Sequence, residues 1–211
     1  MNDLSNFALL AFTSFFTLIN PLGAMPVFMT MTSEFDELSR KKTALKATLI
    51  SFLIISGFAL TGQLLFKFFG ISVHSFRVVG GVIFFIMGMD MLQARLTGVK
   101  IKDSEVKKYV NDISITPLAI PMLCGPGAIT NAIVLMEDAN NITKIIVLFI
   151  VIAIIMVITY LILLGASKII KFLGPSGNNV MMRLMGLIVM VIAVEFFFSG
   201  VKPIIQDILR N

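Results

Sequence analysis

Apolar residues along the chain come in long blocks, without the strict alternation of a half-buried strand. Six blocks approach or exceed the roughly 20 residues needed to cross a bilayer. They cover about 4–32, 46–69, 75–94, 113–136, 144–170 and 180–201. Hydrocarbon offers no partner to a backbone N–H or C=O, so blocks of this length are expected to be helices that satisfy those groups internally. Polar residues gather between them, in a charged stretch at 33–42 and a longer hydrophilic one at 95–112. The pattern predicts an all-α membrane protein, with residues 1–211 forming a single transmembrane domain of six transmembrane helices.

Two of the blocks carry helix breakers deep inside. The first contains Asn20-Pro21-Leu22-Gly23-Ala24-Met25-Pro26, and the fourth contains Thr116-Pro117 and Pro121-Met122-Leu123-Cys124-Gly125-Pro126-Gly127-Ala128. Proline lacks an amide donor and pushes the residue before it out of the α region, while glycine tolerates the torsions that follow. Helices 1 and 4 are therefore expected to be discontinuous. At a rise of about 1.5 Å per residue, Asn20 lies about 24 Å beyond Leu4 and Gly125 about 18 Å beyond Ile113. Both breaks thus fall near mid-membrane.

Each break frees amides, around Gly23 and Ala24 or around Gly127 and Ala128, that form a positive end able to hold an anion, and leaves a carbonyl-rich negative end. Irregular backbone at that depth needs protein or a wet cavity around it. The expected substrate-binding residues are Asn20, Pro21, Gly23, Ala24, Gly125, Pro126, Gly127, Ala128, Thr130 and Asn131, with Thr17 as a further hydrogen-bonding side chain. A ligand carrying both a carboxylate and an ammonium, such as a small amino acid, matches opposed helix ends without any charged side chain.

The two halves of the chain also resemble each other. Lys67-Phe68-Phe69-Gly70-Ile71-Ser72 aligns with Lys171-Phe172-Leu173-Gly174-Pro175-Ser176, and beyond a two-residue insertion Arg77 and Gly80 fall on Arg183 and Gly186. The breaks recur at nearly the same offset. Three spans per half make the repeats enter the membrane from opposite sides, the plan of many secondary transporters. The expected division is 1–94 as a first inverted repeat, 95–112 as a cytoplasmic loop and 113–211 as a second inverted repeat.

Composition agrees with lipid as the solvent: 57% of residues are hydrophobic and 14% charged, with a mean hydropathy of +0.98, more apolar material than a water-soluble domain buries. The first block lacks a basic lead and a small-residue cleavage site, so no signal-peptide removal is expected. The formal net charge of +5 reads as orientation. Lys and Arg crowd the connections after blocks one, three and five, which places those connections in the cytoplasm and both termini outside it, in a cell (inner) membrane. Basic residues scattered between spans make no nucleic-acid surface.

One histidine and one cysteine make no conventional metal site. With no P-loop, Ser/His pair or His-Glu-x-x-His, neither a cofactor nor an enzyme activity is expected. Ionisable residues inside a span must face protein, water or an interface. Asp90 in block three and Glu195 in block six are therefore the ion-coupling candidates, with headgroup contact or local pairing near the cytoplasmic boundary the alternative for Asp90 and structural pairing that for Glu195. Arg77 and Arg183 read as headgroup anchors. Gly80, Gly81, Gly88, Gly165 and Gly186 read as small residues that let helices approach closely.

Asn20-Pro21-Leu22-Gly23, Gly125-Pro126-Gly127 and Arg183-Leu184-Met185-Gly186 together resemble the MarC family, which includes SnatA-like small neutral amino-acid transporters for glycine and alanine. The similarity covers essentially the whole chain. It implies six spans in a three-plus-three inverted arrangement with substrate held at the two unwound segments, and it carries over to Asn20, Pro21, Gly23, Gly125, Pro126 and Gly127. The expected function is a secondary transporter that moves a small neutral amino acid across the cell membrane by alternating access, coupled to a proton or a sodium ion. A small-solute or ion channel, or a non-transporting membrane subunit, is the alternative. A channel needs a continuous pore of polar rings, for which these spans carry few polar residues.

Overall fold

The computed structural model describes residues 3–93 and 112–210, and every regular element among them is helical. Apart from Asp112, the expected cytoplasmic loop 95–112 lies outside the described residues.

Helix α1 (Asp3–Ile19) buries Phe7, Ala11, Phe15 and Ile19, a four-residue spacing that turns one face inward. Asn20 follows in the left-handed conformation (φ 47, ψ 64) and leads into α2 (Pro21–Met31). Asparagine is one of the few residues other than glycine that enters this region, and Pro21, having no N–H, suits the first turn of a helix. Together the three make one apolar span of 29 residues.

Helix α3 (Glu37–Phe69) starts inside the charged stretch, well before the apolar block that predicted it. Asp36 accepts a hydrogen bond from the Ser39 amide at 3.2 Å, and Glu37 pairs with Lys41 at 2.7 Å. A cap and an i,i+4 ion pair thus extend the helix into residues too polar for lipid. The helix ends at Gly70 (φ 63), where the Ile71 amide reaches back to the Phe66 carbonyl at 2.8 Å and closes the C-terminus. Ser72 then caps α4 (Val73–Leu92), its Oγ accepting from the Ser75 amide at 2.9 Å.

Helix α5 (Ser114–Leu123) is wide-turned; at its end the Cys124 amide bonds to the Ala119 carbonyl, five residues back, at 2.8 Å. Thr116 (φ −128, ψ 123) and Ile120 (φ −119, ψ 125) are extended, each directly before a proline. Helix α6 (Pro126–Asp138) continues from it at an angle of 57°. Helix α7 (Ile142–Arg210) holds two apolar spans, Ile142–Ala166 and Asn179–Leu209. A connecting loop was expected between them. The chain instead keeps helical turns and confines the break to Gly174 (φ 68, ψ 178), a torsion pair essentially restricted to glycine. Among the described residues, five helical spans are long and apolar enough to cross a membrane, and α5 with α6 passes together as a sixth.

Packing brings α4 against the second span of α7. A Cβ on Gly81, Gly88 or Gly186 would lie 2.8 or 2.9 Å from a carbonyl oxygen of the opposite helix, so the two backbones are close enough to require glycine there. Gly165, read from sequence as one of the same set, faces open space instead. At the other side of the bundle the Lys144 ammonium meets the Asp3 carboxylate at 2.8 Å and ties α7 to α1. Phe15, Phe28, Leu118, Leu123 and Ile155 are fully buried at the centre. Leu53, Leu64, Ile150, Val157 and Leu161 stand exposed on the rim, where lipid rather than water suits them.

Candidate functional site

The break at Asn20 is held by its own side chain. The Oδ1 atom accepts from the Gly23 amide at 3.1 Å, while the Asn20 carbonyl accepts from the Ala24 amide at 3.1 Å. That leaves the other side-chain atom, Nδ2, buried and without a partner, and an unpaired buried donor is unfavourable by about 1–3 kcal/mol. A Cβ on Gly23 would collide with this amide, so glycine makes the turn possible as well as flexible.

A cavity opens at this break. Asn20, Gly23 and Ala24 form one wall, Phe84 and Met87 of α4 a second, Met122 of α5 a third, and Val189 and Ile192 of α7 close it. Its free space is about 20 Å³, of the order of one water molecule. The walls are apolar except at Asn20, so the only polar group offered to an occupant by the lining side chains is the carboxamide.

The second break lies directly behind Phe84. A Cβ on Gly125 would strike the Phe84 ring and the Pro121 carbonyl, and one on Gly127 would touch Leu18 and the same ring at 3.1 and 3.4 Å. One aromatic side chain therefore separates the cavity from the start of α6. That helix begins at Gly125 with no side-chain cap, which leaves its first amides to whatever comes near.

Of the residues expected to bind substrate, Asn20, Gly23 and Ala24 line the cavity, and Gly125 and Gly127 sit against its Phe84 wall. Pro21 is buried in the first turn of α2, and Pro126 packs against Gly80. Ala128 is wholly within the core. Asn131 donates to Ser14 Oγ at 3.0 Å and so joins α6 to α1. Thr130 is 1% exposed and its hydroxyl has no partner, although a helical threonine ordinarily bonds a carbonyl one turn back. Thr17 is exposed.

Neither ion-coupling candidate lines the cavity: Asp90 is half-buried near the end of α4 and Glu195 is exposed on α7. Sequence reasoning missed Phe84, Met87, Met122, Val189 and Ile192. They are apolar residues in apolar spans, and nothing in their local pattern separates them from packing material.

Comparison with known proteins supplies what geometry alone does not. Residues 5–205 match the family model for MarC family integral membrane proteins. Among curated relatives, a UPF0056 membrane protein of Methanocaldococcus jannaschii is 36% identical, the match covering 95% of this chain and 98% of the relative. One from Pyrococcus horikoshii is 38% identical over 92% and 94%, and YvbG of Bacillus subtilis is 36% identical over 93% and 95%. No solved structure matches. With the family match running through both interruptions and all of the apolar spans, the chain belongs to the MarC family of integral membrane proteins.

Proposed function

We propose that the chain is a secondary transporter that moves small neutral amino acids of the glycine or alanine type across the cell membrane by alternating access. The observation that carries this reading is the cavity at the Asn20 break, lined by a residue whose side-chain Nδ2 is buried without a partner and by the Phe84 ring against which the second break packs. A solute carboxylate satisfies that donor, and an uncapped helix start suits the same group. The apolar walls then restrict the solute to a small, side-chain-poor one. Apart from its lipid bilayer, the chain needs no cofactor for such a cycle, and no chemical step is part of it.

With space of the order of one water, the cavity is too small for an amino acid in this conformation, and admission of a solute requires its lining elements to move apart. Rocking of one half of the chain against the other supplies that movement in inverted-repeat carriers. The repeat reading draws support from Gly70 and Gly174. These aligned glycines share a positive φ, 63 and 68, with ψ of 26 and 178, and are the only glycines of positive φ among the described residues. Cytoplasmic connections rich in Lys and Arg put both termini outside. The gradient used is that of protons or sodium; coupling through Asp90 or Glu195 would act on the solute from a distance, since neither lines the cavity.

Uptake of radiolabelled glycine or alanine into proteoliposomes under an imposed proton or sodium gradient tests the reading. Saturable, gradient-driven accumulation is expected. A non-saturating current without accumulation points to a channel, and absence of any flux for either amino acid overturns the assignment.

A further inference from the structure

Glu195 has no role in the cavity, and its surroundings make it the most demanding side chain in the molecule. The second span of α7 turns Met182, Gly186, Val189, Ala193 and Gly200 inward. The opposite face presents Leu184, Ile188, Val191, Glu195, Phe198 and Lys202, all exposed. Steps of four and three residues in alternation are the seam of a helix pair. Any exposed helix face approximates that spacing, so the spacing is permissive and the glutamate is what singles this face out.

Depth gives the glutamate its weight. Arg183 and Lys202 bracket an uncharged stretch broken only by Glu195, about 28 Å long at about 1.5 Å per residue, close to the hydrocarbon thickness of about 30 Å. Glu195 lies about 10 Å from the level of Lys202 and about 18 Å from that of Arg183. Its side chain is too short to reach a headgroup from either direction. A polar group at this depth faces protein or water, yet this one points away from the cavity, which takes its α7 wall from Val189 and Ile192.

We infer that a second copy of the chain covers this face. The two seams pair about a two-fold axis along the membrane normal, and the Glu195 carboxyls hydrogen-bond across it. Parallel self-pairing sets each seam residue near its own counterpart. Leu184, Ile188, Val191 and Phe198 then meet apolar groups at equal depth, and the two Lys202 ammoniums separate into water at the headgroups. The one mid-depth polar group meets an identical group, and the pair hydrogen-bonds when at least one of the two carboxyls carries a proton to donate. A single polar residue in an otherwise apolar seam also fixes register, and interhelical hydrogen bonds hold such pairs in lipid. An unrelated partner would need its own polar side chain at the same depth.

Disulfide cross-linking in native membranes tests this. Cys124 is buried and is the one cysteine of the chain, so C124A gives a clean background. V191C and F198C are expected to form covalent dimers on mild oxidation, whereas I150C, exposed on the first span of α7, stays monomeric. Adding E195L to V191C should weaken self-association about three- to thirtyfold, the range for one interhelical hydrogen bond, while E195Q should retain it. Equal cross-linking at I150C, or a dimer indifferent to E195L, overturns the inference. So does an E195L protein that dimerises normally and loses uptake, which would make Glu195 a coupling group. Stepwise photobleaching of the fluorescently tagged wild-type chain decides the matter even where E195L folds poorly: two steps are expected, and a single step overturns it. The cross-linking and photobleaching readouts do not depend on whether the chain transports an amino acid.

Discussion

Asn20 meets two demands at once. Its backbone must sit in a left-handed conformation, and its side chain must cap the helix that follows while leaving an amide in the cavity. Glycine meets the first demand without strain and is tolerated at a cap with a loss of only a few tenths of a kcal/mol. Asn20→Gly is therefore expected to leave the melting temperature in detergent nearly unchanged, while uptake falls about thirtyfold, equivalent to about 2 kcal/mol and within the range for one hydrogen bond to a charged solute group. A matched loss of stability and uptake would show the residue to be structural alone. At the surface, Asp36 is held below its ordinary value of 3.8, first by its hydrogen bond with Ser39 and then by nearby backbone amides. A lowered native pKa contributes stability above the unfolded value that disappears as pH falls through the native one. The Ser39 amide resonance should thus titrate with a midpoint below 3.8, and Asp36→Asn should abolish that titration. Asn-Pro in an apolar run was enough to locate the first residue. Phe84, which stands between the two breaks, carries no such mark, because only the neighbours that α4 happens to have make its ring a wall.

Between elements, the contact of α4 with the second span of α7 depends on an absence of side chains. Ala substitution at Gly88 or Gly186 forces a methyl group to within 2.9 or 2.8 Å of the facing carbonyl oxygen, and overpacking of this kind is unfavourable by about 1–3 kcal/mol. Each single variant should lower the unfolding midpoint in detergent. The double variant should fall short of the sum, since the two glycines face each other. Gly165→Ala, with nothing within 4 Å of the new methyl group, is expected to hold or raise the midpoint, by about 0.5–1 kcal/mol for a helix interior. Equal losses at all three positions would remove the packing explanation. The same comparison marks how far sequence went at this scale. Five glycines looked alike in apolar spans, and only the register of the opposite helix separates those that touch it from the one that does not. The start of α3 was misplaced for a related reason, since hydropathy follows lipid while the Asp36 cap and the Glu37–Lys41 pair follow the helix.

For the molecule as a whole, the arrangement in the membrane is open to direct measurement. Ser33 lies between α2 and α3 and Ile71 between α3 and α4, both exposed. In the C124A background, S33C should react with an impermeant thiol reagent only from the cytoplasmic side and I71C only from outside. The opposite pattern would invert the proposed orientation without touching the fold, and labelling of both from one side would remove α3 from the list of spans.

The amino-acid sequence by itself determined the solvent and most of the span positions, because a block of about 20 apolar residues has one stable form in hydrocarbon. It also determined where the backbone leaves helical torsions, since the limits of proline and the residue before it are local properties; Thr116 and Ile120 are extended as those limits require, while Asn20 takes the left-handed region that asparagine tolerates. Tertiary structure decided what those breaks enclose. A cavity exists only where Asn20, Phe84, Met122 and Val189 arrive together from distant parts of the chain, and a glutamate inside a span becomes a cavity group or an outward one according to which face of α7 its neighbours leave uncovered.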